Sequence, residues 1–115
     1  MKNNPEISVV ICAYNRAKLI QVALNAFTKQ TINPDRFEII IIDNNSTDGT
    51  DEVCKNFIAS NPLLNAKYFL ETQQGLPSAR NRGIKESAGK LIVFIDDDAE
   101  VAENYLEEAI VFFET

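Results

Sequence analysis

Apolar residues fall along this chain in four nearly continuous runs, residues 7–13 (ISVVICA), 37–42 (FEIIII), 66–70 (AKYFL) and 91–95 (LIVFI). A run that is continuous rather than alternating predicts a strand covered on both faces. The third run is the weakest of the four. Between the runs the apolar spacing changes to that of helices. Ile20, Ala23, Leu24 and Phe27 form one stripe within 17–29, at i, i+3, i+4 and i+7. Thr50 or Asp51 reads as the cap of a helix reaching Ser60, with Val53, Cys54 and Phe57 inward. Pro77 suits a first helical turn and Gly89 the residue past an end, which predicts a helix over 77–88. A last helix is predicted over 102–113, with Leu106, Ala109, Ile110 and Phe113 inward. Asn33-Pro34-Asp35, the stretch 44–49 and Asn61-Pro62 supply the turns.

The resulting order is β-α-β-α-β-α-β-α. Such alternation with short connections argues for an α/β class fold: a three-layer, Rossmann-like open parallel sheet with flanking helices and right-handed crossovers. With strands ordered 3-2-1-4, strands one and four meet at the topological switch point, where open α/β sheets hold ligands outside the carboxyl ends of their strands. Three of those ends are polar: Ala13-Tyr14-Asn15-Arg16, Asp43-Asn44-Asn45 and Asp96-Asp97-Asp98.

The last of these is the most demanding. Ile92-Val93-Phe94-Ile95 runs directly into three adjacent carboxylates. Partly desolvated like charges are costly without a cationic partner. An oxygen-bound divalent metal is a natural one, and it can in turn hold a diphosphate. A solvated acidic turn is the plain alternative; its place at the end of an apolar strand favours the ligand site.

Composition narrows the chemistry. The chain has 115 residues, enough for one domain over 1–115, with 45% hydrophobic and 24% charged residues. A formal net charge of −6 argues against nucleic acid as a partner. The absence of histidine removes Ser-His-Asp and Cys-His catalysis and His metal ligands. Cys12 and Cys54 lie in apolar surroundings without a CxxC pair, and read as reduced core residues of a reducing compartment. The short polar start and the lack of a long apolar run predict no leader and no membrane span. The expected location is cytoplasmic, with the cytoplasmic face of a membrane as the alternative for a longer protein. The turn after strand one has no glycine, so it is no dinucleotide fingerprint, and no phosphate-binding G-x-x-x-x-G-K-[ST] loop occurs. Phosphate therefore falls to a metal and arginine.

Four blocks carry a resemblance. Residues 8–16 (SVVICAYNR), 41–50 (IIDNNSTDGT), 79–83 (ARNRG) and 94–98 (FIDDD) resemble, in order and spacing, glycosyltransferase family 2, whose fold is GT-A. One DxD pattern is weak evidence; four ordered blocks over nearly the whole chain are specific. The resemblance implies transfer of a sugar, with inversion, from a nucleotide-diphosphate sugar (a UDP-sugar favoured) to a saccharide or glycoconjugate acceptor, as in polysaccharide assembly, with Mn²⁺ or Mg²⁺. It implies that Ala13, Tyr14, Asn15, Arg16, Asp43, Arg80, Asp96 and Asp97 contact the nucleotide. Tyr14 and Asp43 would face the base, Arg80 and Asp96 the ribose and diphosphate. Asp98, with Asp96, would hold the metal. Asp43 could equally cap its own loop, and Arg16 could be a solvated helix-start residue. Asp48-Gly49-Thr50 read as turn and cap chemistry, Gly83 as a close-packing position, and Arg82 as a solvated face.

Members of the family usually continue for about another hundred residues, which carry the acceptor site and the general base. Glu100, Glu103, Glu107 and Glu108 read as a solvated helix face, poor candidates for that base. The chain is thus expected to be the nucleotide-binding, N-terminal half of a GT-A fold, inactive alone, and prone to self-association through uncovered apolar surface. Two other readings remain. A Mg²⁺-dependent aspartyl phosphotransfer domain would need carboxylates at the end of strand one, which ends Ala-Tyr-Asn. A non-catalytic nucleotide-binding or interaction module would be complete at this length.

Overall fold

The structure, a computed structural model, describes residues 4–114. Four parallel strands, β1 (Ile7–Ala13), β2 (Phe37–Asp43), β3 (Ala66–Leu70) and β4 (Leu91–Asp96), form one sheet in the order β3-β2-β1-β4. The helices are α1 (Ile20–Asn25), α2 (Thr50–Ser60), α3 (Leu76–Glu86) and α4 (Tyr105–Glu114), with 3₁₀ turns at Ala26–Lys29 and Pro34–Arg36.

Side chains alternate across a strand, so β1 feeds two cores. Ile7, Val9, Ile11 and Ala13 join Ile20, Leu24 and Phe27 of the α1 region, Cys54 and Phe57 of α2, and Leu106 and Ile110 of α4. Val10 joins Ile40, Ile42 and Ala79 of α3 on the other face. This is the three-layer arrangement expected. All seven residues of β2 are buried, as a central strand without alternation requires. α3 approaches β1 closely at Gly83, where an added Cβ would collide with Val10.

A polar network closes the end of the sheet opposite the polar loops. Glu38 is 1% exposed and accepts from Ser8 Oγ–H (2.6 Å) and the Ala88 N–H (2.6 Å), while Ser8 Oγ accepts from the Gly89 N–H (2.8 Å). Lys67 Nζ lies 3.6 Å from the other Glu38 oxygen. The network seats the turn that leads into β4.

The structure corrects several expectations. β4 is not covered on both faces: only Ile95 is buried, and Phe94 is 42% exposed. β4 pairs with β1 alone and is an edge strand, so its continuous apolar run overstates its burial. Helix α1 begins three residues later than the pattern predicts and ends in a 3₁₀ turn. The N–H groups of Arg16 and Ala17 are taken by Thr50 Oγ1 and Asp48 Oδ2, which holds this stretch in the preceding loop. Gly49, at φ 92°, occupies the N-cap of α2, and Thr50 is already in its first turn. α3 stops at Glu86, where the Ser87 hydroxyl donates to the Gly83 carbonyl (2.6 Å). α4 starts at Tyr105 because Gln30 reaches across to it: its Oε1 accepts from the Leu106 N–H and its Nε2 donates to the Ala102 carbonyl. Ala109 is half-buried, but Phe113 points outward and is 64% exposed.

Candidate functional site

The register of the sheet sets the site. Ala13 lies opposite Asp43, and Cys12 opposite Asp96, so the three polar strand ends emerge side by side. Between them and the start of α3 is a hollow of about 530 Å³. Its walls include Ala13, Tyr14 and Arg16 from β1 and its loop, and all three carboxylates Asp96, Asp97 and Asp98. Gln74, Gly75, Leu76 and Arg80 come from α3 and the loop before it. A volume of that order suits a drug-sized or cofactor-sized ligand.

The β1–α1 loop is clamped to the β2–α2 loop. Asn15, at φ 52°, accepts from the Thr47 N–H (2.8 Å) and donates its own N–H to Ser46 Oγ (2.9 Å). Asp48 accepts from the Ala17 N–H and from Thr50, and Thr50 Oγ1 accepts from the Arg16 N–H. The hydroxyl of Thr50 and the Ala17 and Thr50 N–H groups hold the Asp48 carboxyl below its usual range. Asp48 and Thr50 thus do more than turn and cap their own helix: they fix the loop that presents Tyr14 and Arg16. Tyr14 is 49% exposed at the rim.

Within the lining of the hollow, Arg16 Nε lies 3.4 Å from Asp97 Oδ2. Burial raises the Asp97 pKa; Arg16 and the Tyr14 N–H oppose that rise, and Asp98 adds to it. Asp96 and Asp98 are exposed. Arg80 lies over the Phe94 ring, 5.7 Å from its centroid, a cation–π contact. Cys12 also lines the hollow and is half-buried, and burial pushes its thiol up to about 11. At neutral pH it is a neutral wall residue, not a nucleophile.

Two expected nucleotide contacts do not line the hollow. Asp43 is 1% exposed, and its oxygens accept from the Ser46 N–H (2.9 Å) and the Tyr68 hydroxyl (2.5 Å). Asn15 is the loop clamp described above. Asn44, Gln74, Gly75, Leu76, Cys12 and Phe94 line it instead, although the sequence singled out none of them. For Asn44 and Gly75 a signal existed, an Asn and a Gly in turns at strand and helix ends. Arg82 is no solvated face: it binds Glu86 (2.8 Å), approaches Glu71 (3.4 Å) and lies over the Phe69 ring.

The profile of glycosyl transferase family 2 matches residues 8–115. The chain belongs to glycosyltransferase family 2. It is 39% identical over 107 residues to glycosyltransferase AglE of Haloferax volcanii, covering 92% of this chain and 34% of that protein. To the poly(ribitol-phosphate) β-N-acetylglucosaminyltransferase TarS of Staphylococcus aureus it is 32% identical over 111 residues, 95% of this chain and 19% of TarS. Among solved structures, the mannosyltransferase PcManGT of Pyrobaculum calidifontis, in complex with GDP-Man and Mn²⁺, superposes with a TM-score of 0.92 at 28% identity, over 98% of this chain and 33% of that one. TarS 1–349 in complex with UDP gives 0.86 at 28% identity, over 95% and 32%. The chain thus spans about a third or less of the proteins it matches. The parallel sheet ordered 3-2-1-4 with its flanking helices is the GT-A arrangement of these neighbours.

For this family 2 chain, the donor set decides which cation fits. Among the described residues no three His, Cys, Asp or Glu groups gather as a complete cage. Exposed Asp96 and Asp98 offer hard carboxylate oxygens at one rim, while Asp97 faces Arg16. Such a set suits Mg²⁺ or Mn²⁺, which bind through one or two carboxylates with water and ligand phosphates completing the shell. Among the described residues, no helix is long and apolar enough to cross a membrane.

Proposed function

We propose that the hollow between the ends of β1 and β4 binds the nucleoside diphosphate of a sugar donor. The protein to which this chain's activity belongs would then transfer that sugar, with inversion, to an acceptor hydroxyl. The observation that carries the reading is the facing of Tyr14, Arg16 and Arg80 with Asp96, Asp97 and Asp98 around one cofactor-sized hollow. The ligands of PcManGT and TarS support it by analogy.

Asp96 and Asp98 would hold Mn²⁺ or Mg²⁺. When bound, the cation supplies charge neutralisation to the departing diphosphate. Tyr14 offers an aromatic face to a base at the rim. Arg80 and Arg16 offer guanidinium donors to ribose and phosphate oxygens. Asp43 supports this wall from behind, with its carboxylate committed to Ser46 and Tyr68. A UDP-sugar is the favoured donor and a GDP-sugar the alternative.

Apart from the triplet, no acidic residue among the described residues lines the hollow. Glu100, Glu103, Glu107 and Glu108 are exposed. A general base must come within hydrogen-bond reach of the acceptor hydroxyl, so these residues are not assigned that role. The chain is therefore expected to bind donor without transferring sugar. Exposed Val111, Phe112 and Phe113 on α4 support self-association as a further property, which sedimentation at rising concentration tests.

Calorimetric titration with UDP, GDP and the other nucleoside diphosphates, with and without Mn²⁺, tests the reading. Metal-dependent binding of one of them is expected. Absence of binding with Mn²⁺ present would defeat the reading.

A further inference from the structure

Gln74 and Gly75 enter the wall of the hollow from a loop, residues 71–75, that leads from β3 into α3. Gly75 sits at φ 126° and ψ 137°, a conformation costly for any residue with a side chain. A Cβ added there would meet Pro77 only at 4.0 Å, so the backbone conformation and not lack of room is what calls for glycine. At its start the loop is held by the Glu71 N–H on the Asp43 carbonyl (2.8 Å), the Gln73 N–H on Glu71 Oε2 (3.0 Å) and the Arg82–Glu71 pair (3.4 Å), and one side chain adds three contacts that reach as far as Gly75. Asn44 Nδ2 donates to the Glu71 carbonyl (3.1 Å) and the Gln73 carbonyl (2.9 Å), and Asn44 Oδ1 accepts from the Gly75 N–H (2.9 Å). Asn44 is only 6% exposed, and its own N–H donates to the Ala13 carbonyl (2.8 Å). One residue thereby ties the end of β1, the end of β2 and the entry to α3.

We infer that Asn44 is a positioning residue of the ligand site. Its carboxamide pins loop 71–75 in the one shape that brings Gln74, Gly75 and Leu76 into the wall of the hollow. The inference rests on the donor-nucleotide reading for the identity of the ligand. The pin needs two donors and one acceptor at fixed positions, which among side chains of this length only a carboxamide provides. A carboxylate keeps the acceptor for Gly75 but turns a bare oxygen toward two carbonyls. Asn44→Asp is thus nearly isosteric and chemically opposed, and should damage the loop about as much as Asn44→Ala.

The test combines amide hydrogen exchange by NMR on the free chain with nucleoside diphosphate titration, for wild type, N44D and N44A. The Gly75 amide is expected to exchange at least about tenfold faster in both variants, as loss of buried hydrogen bonds implies. The Ile40 and Ile41 amides in the sheet should keep their protection. Affinity for the nucleotide that wild type binds should fall roughly tenfold, and Asn44→Asp should not rescue it. Unchanged Gly75 exchange with lowered affinity would mean that Asn44 touches the ligand directly, and overturns the inference. A loosened loop with unchanged affinity overturns it too. Failure of wild type to bind any nucleoside diphosphate defeats the donor reading instead, and the exchange arm still decides whether the pin exists.

Discussion

Arg16 and Asp97 meet in the lining of the hollow, the guanidinium Nε 3.4 Å from the carboxylate Oδ2. They come from the ends of neighbouring strands, 81 residues apart in sequence, and the pair distinguishes the members of the acidic triplet. Of the three, Asp97 is the one most removed from water, and Arg16 compensates part of that cost. Its pKa stands above the ordinary 3.8, chiefly through burial. A raised carboxyl pKa means that ionising Asp97 costs stability. That cost is absent below the ordinary value and is complete once pH has risen past the folded value. Arg16→Gln should move the Asp97 titration further upward, followed by its carboxyl carbon shift in NMR. It should also steepen the loss of stability as pH rises through that window. Asp97→Asn should flatten the loss. An Asp97 titration indifferent to Arg16 would show that the pair does not persist in solution.

Asp43 depends on Tyr68 in the same way that Asp97 depends on Arg16. Replacing Tyr68 by Phe leaves a buried carboxylate oxygen without its donor, which should cost about 1–3 kcal/mol in denaturant unfolding. Burial, followed by the bond to Asp43, raises the Tyr68 hydroxyl pKa well above its ordinary value of 10. The neutral phenol is favoured in the fold, so its contribution is present below pH 10 and is lost only at higher pH. Spectrophotometric titrations of wild type and Tyr68→Phe should therefore part only well above pH 10.

Gly83 lets α3 lie directly on β1. A methyl group there would meet the Val10 side chain, which is itself fully buried. Gly83→Ala should cost about 1–3 kcal/mol, as overpacking of a filled core does. Gly83→Ala combined with Val10→Ala should recover part of that loss. Additive losses, read from chemical denaturation, would place the cause elsewhere.

Most of the fold was legible because the four strands are apolar enough to need burial and the turns between them are rich in Asn, Gly and Pro. The sheet order 3-2-1-4 was supposed from among the few that connection rules leave, and the sheet has it. What misled was the same signal read too far. The run 91–95 looks like a central strand, yet periodicity reports apolarity and not the number of neighbours. Phe113 fits the helical stripe but falls beyond the core that α4 covers. In the site, strand-end position marked the loop of Tyr14 and Arg16 and the acidic triplet as neighbours of one hollow, and the family resemblance added Arg80, which also lines it. They could not separate Asp43 from Asn44. The two are adjacent, and only the three-dimensional placement of Tyr68 and loop 71–75 decides which faces the hollow. Likewise nothing local in Asp48-Gly49-Thr50 announces that its partners are the backbone of residues 16 and 17.

The central claim is that a divalent cation and a diphosphate meet at the rim formed by Asp96 and Asp98. Mn²⁺ added in small amounts to the isotope-labelled chain with UDP reports this directly, because its unpaired electrons broaden nearby amide resonances. The amides of Asp96, Asp97, Asp98 and Tyr14 should broaden first, UDP should sharpen that preference, and Asp98→Ala should abolish it. Broadening centred on Glu107 and Glu108 of α4, unmoved by UDP or by Asp98→Ala, would contradict the account.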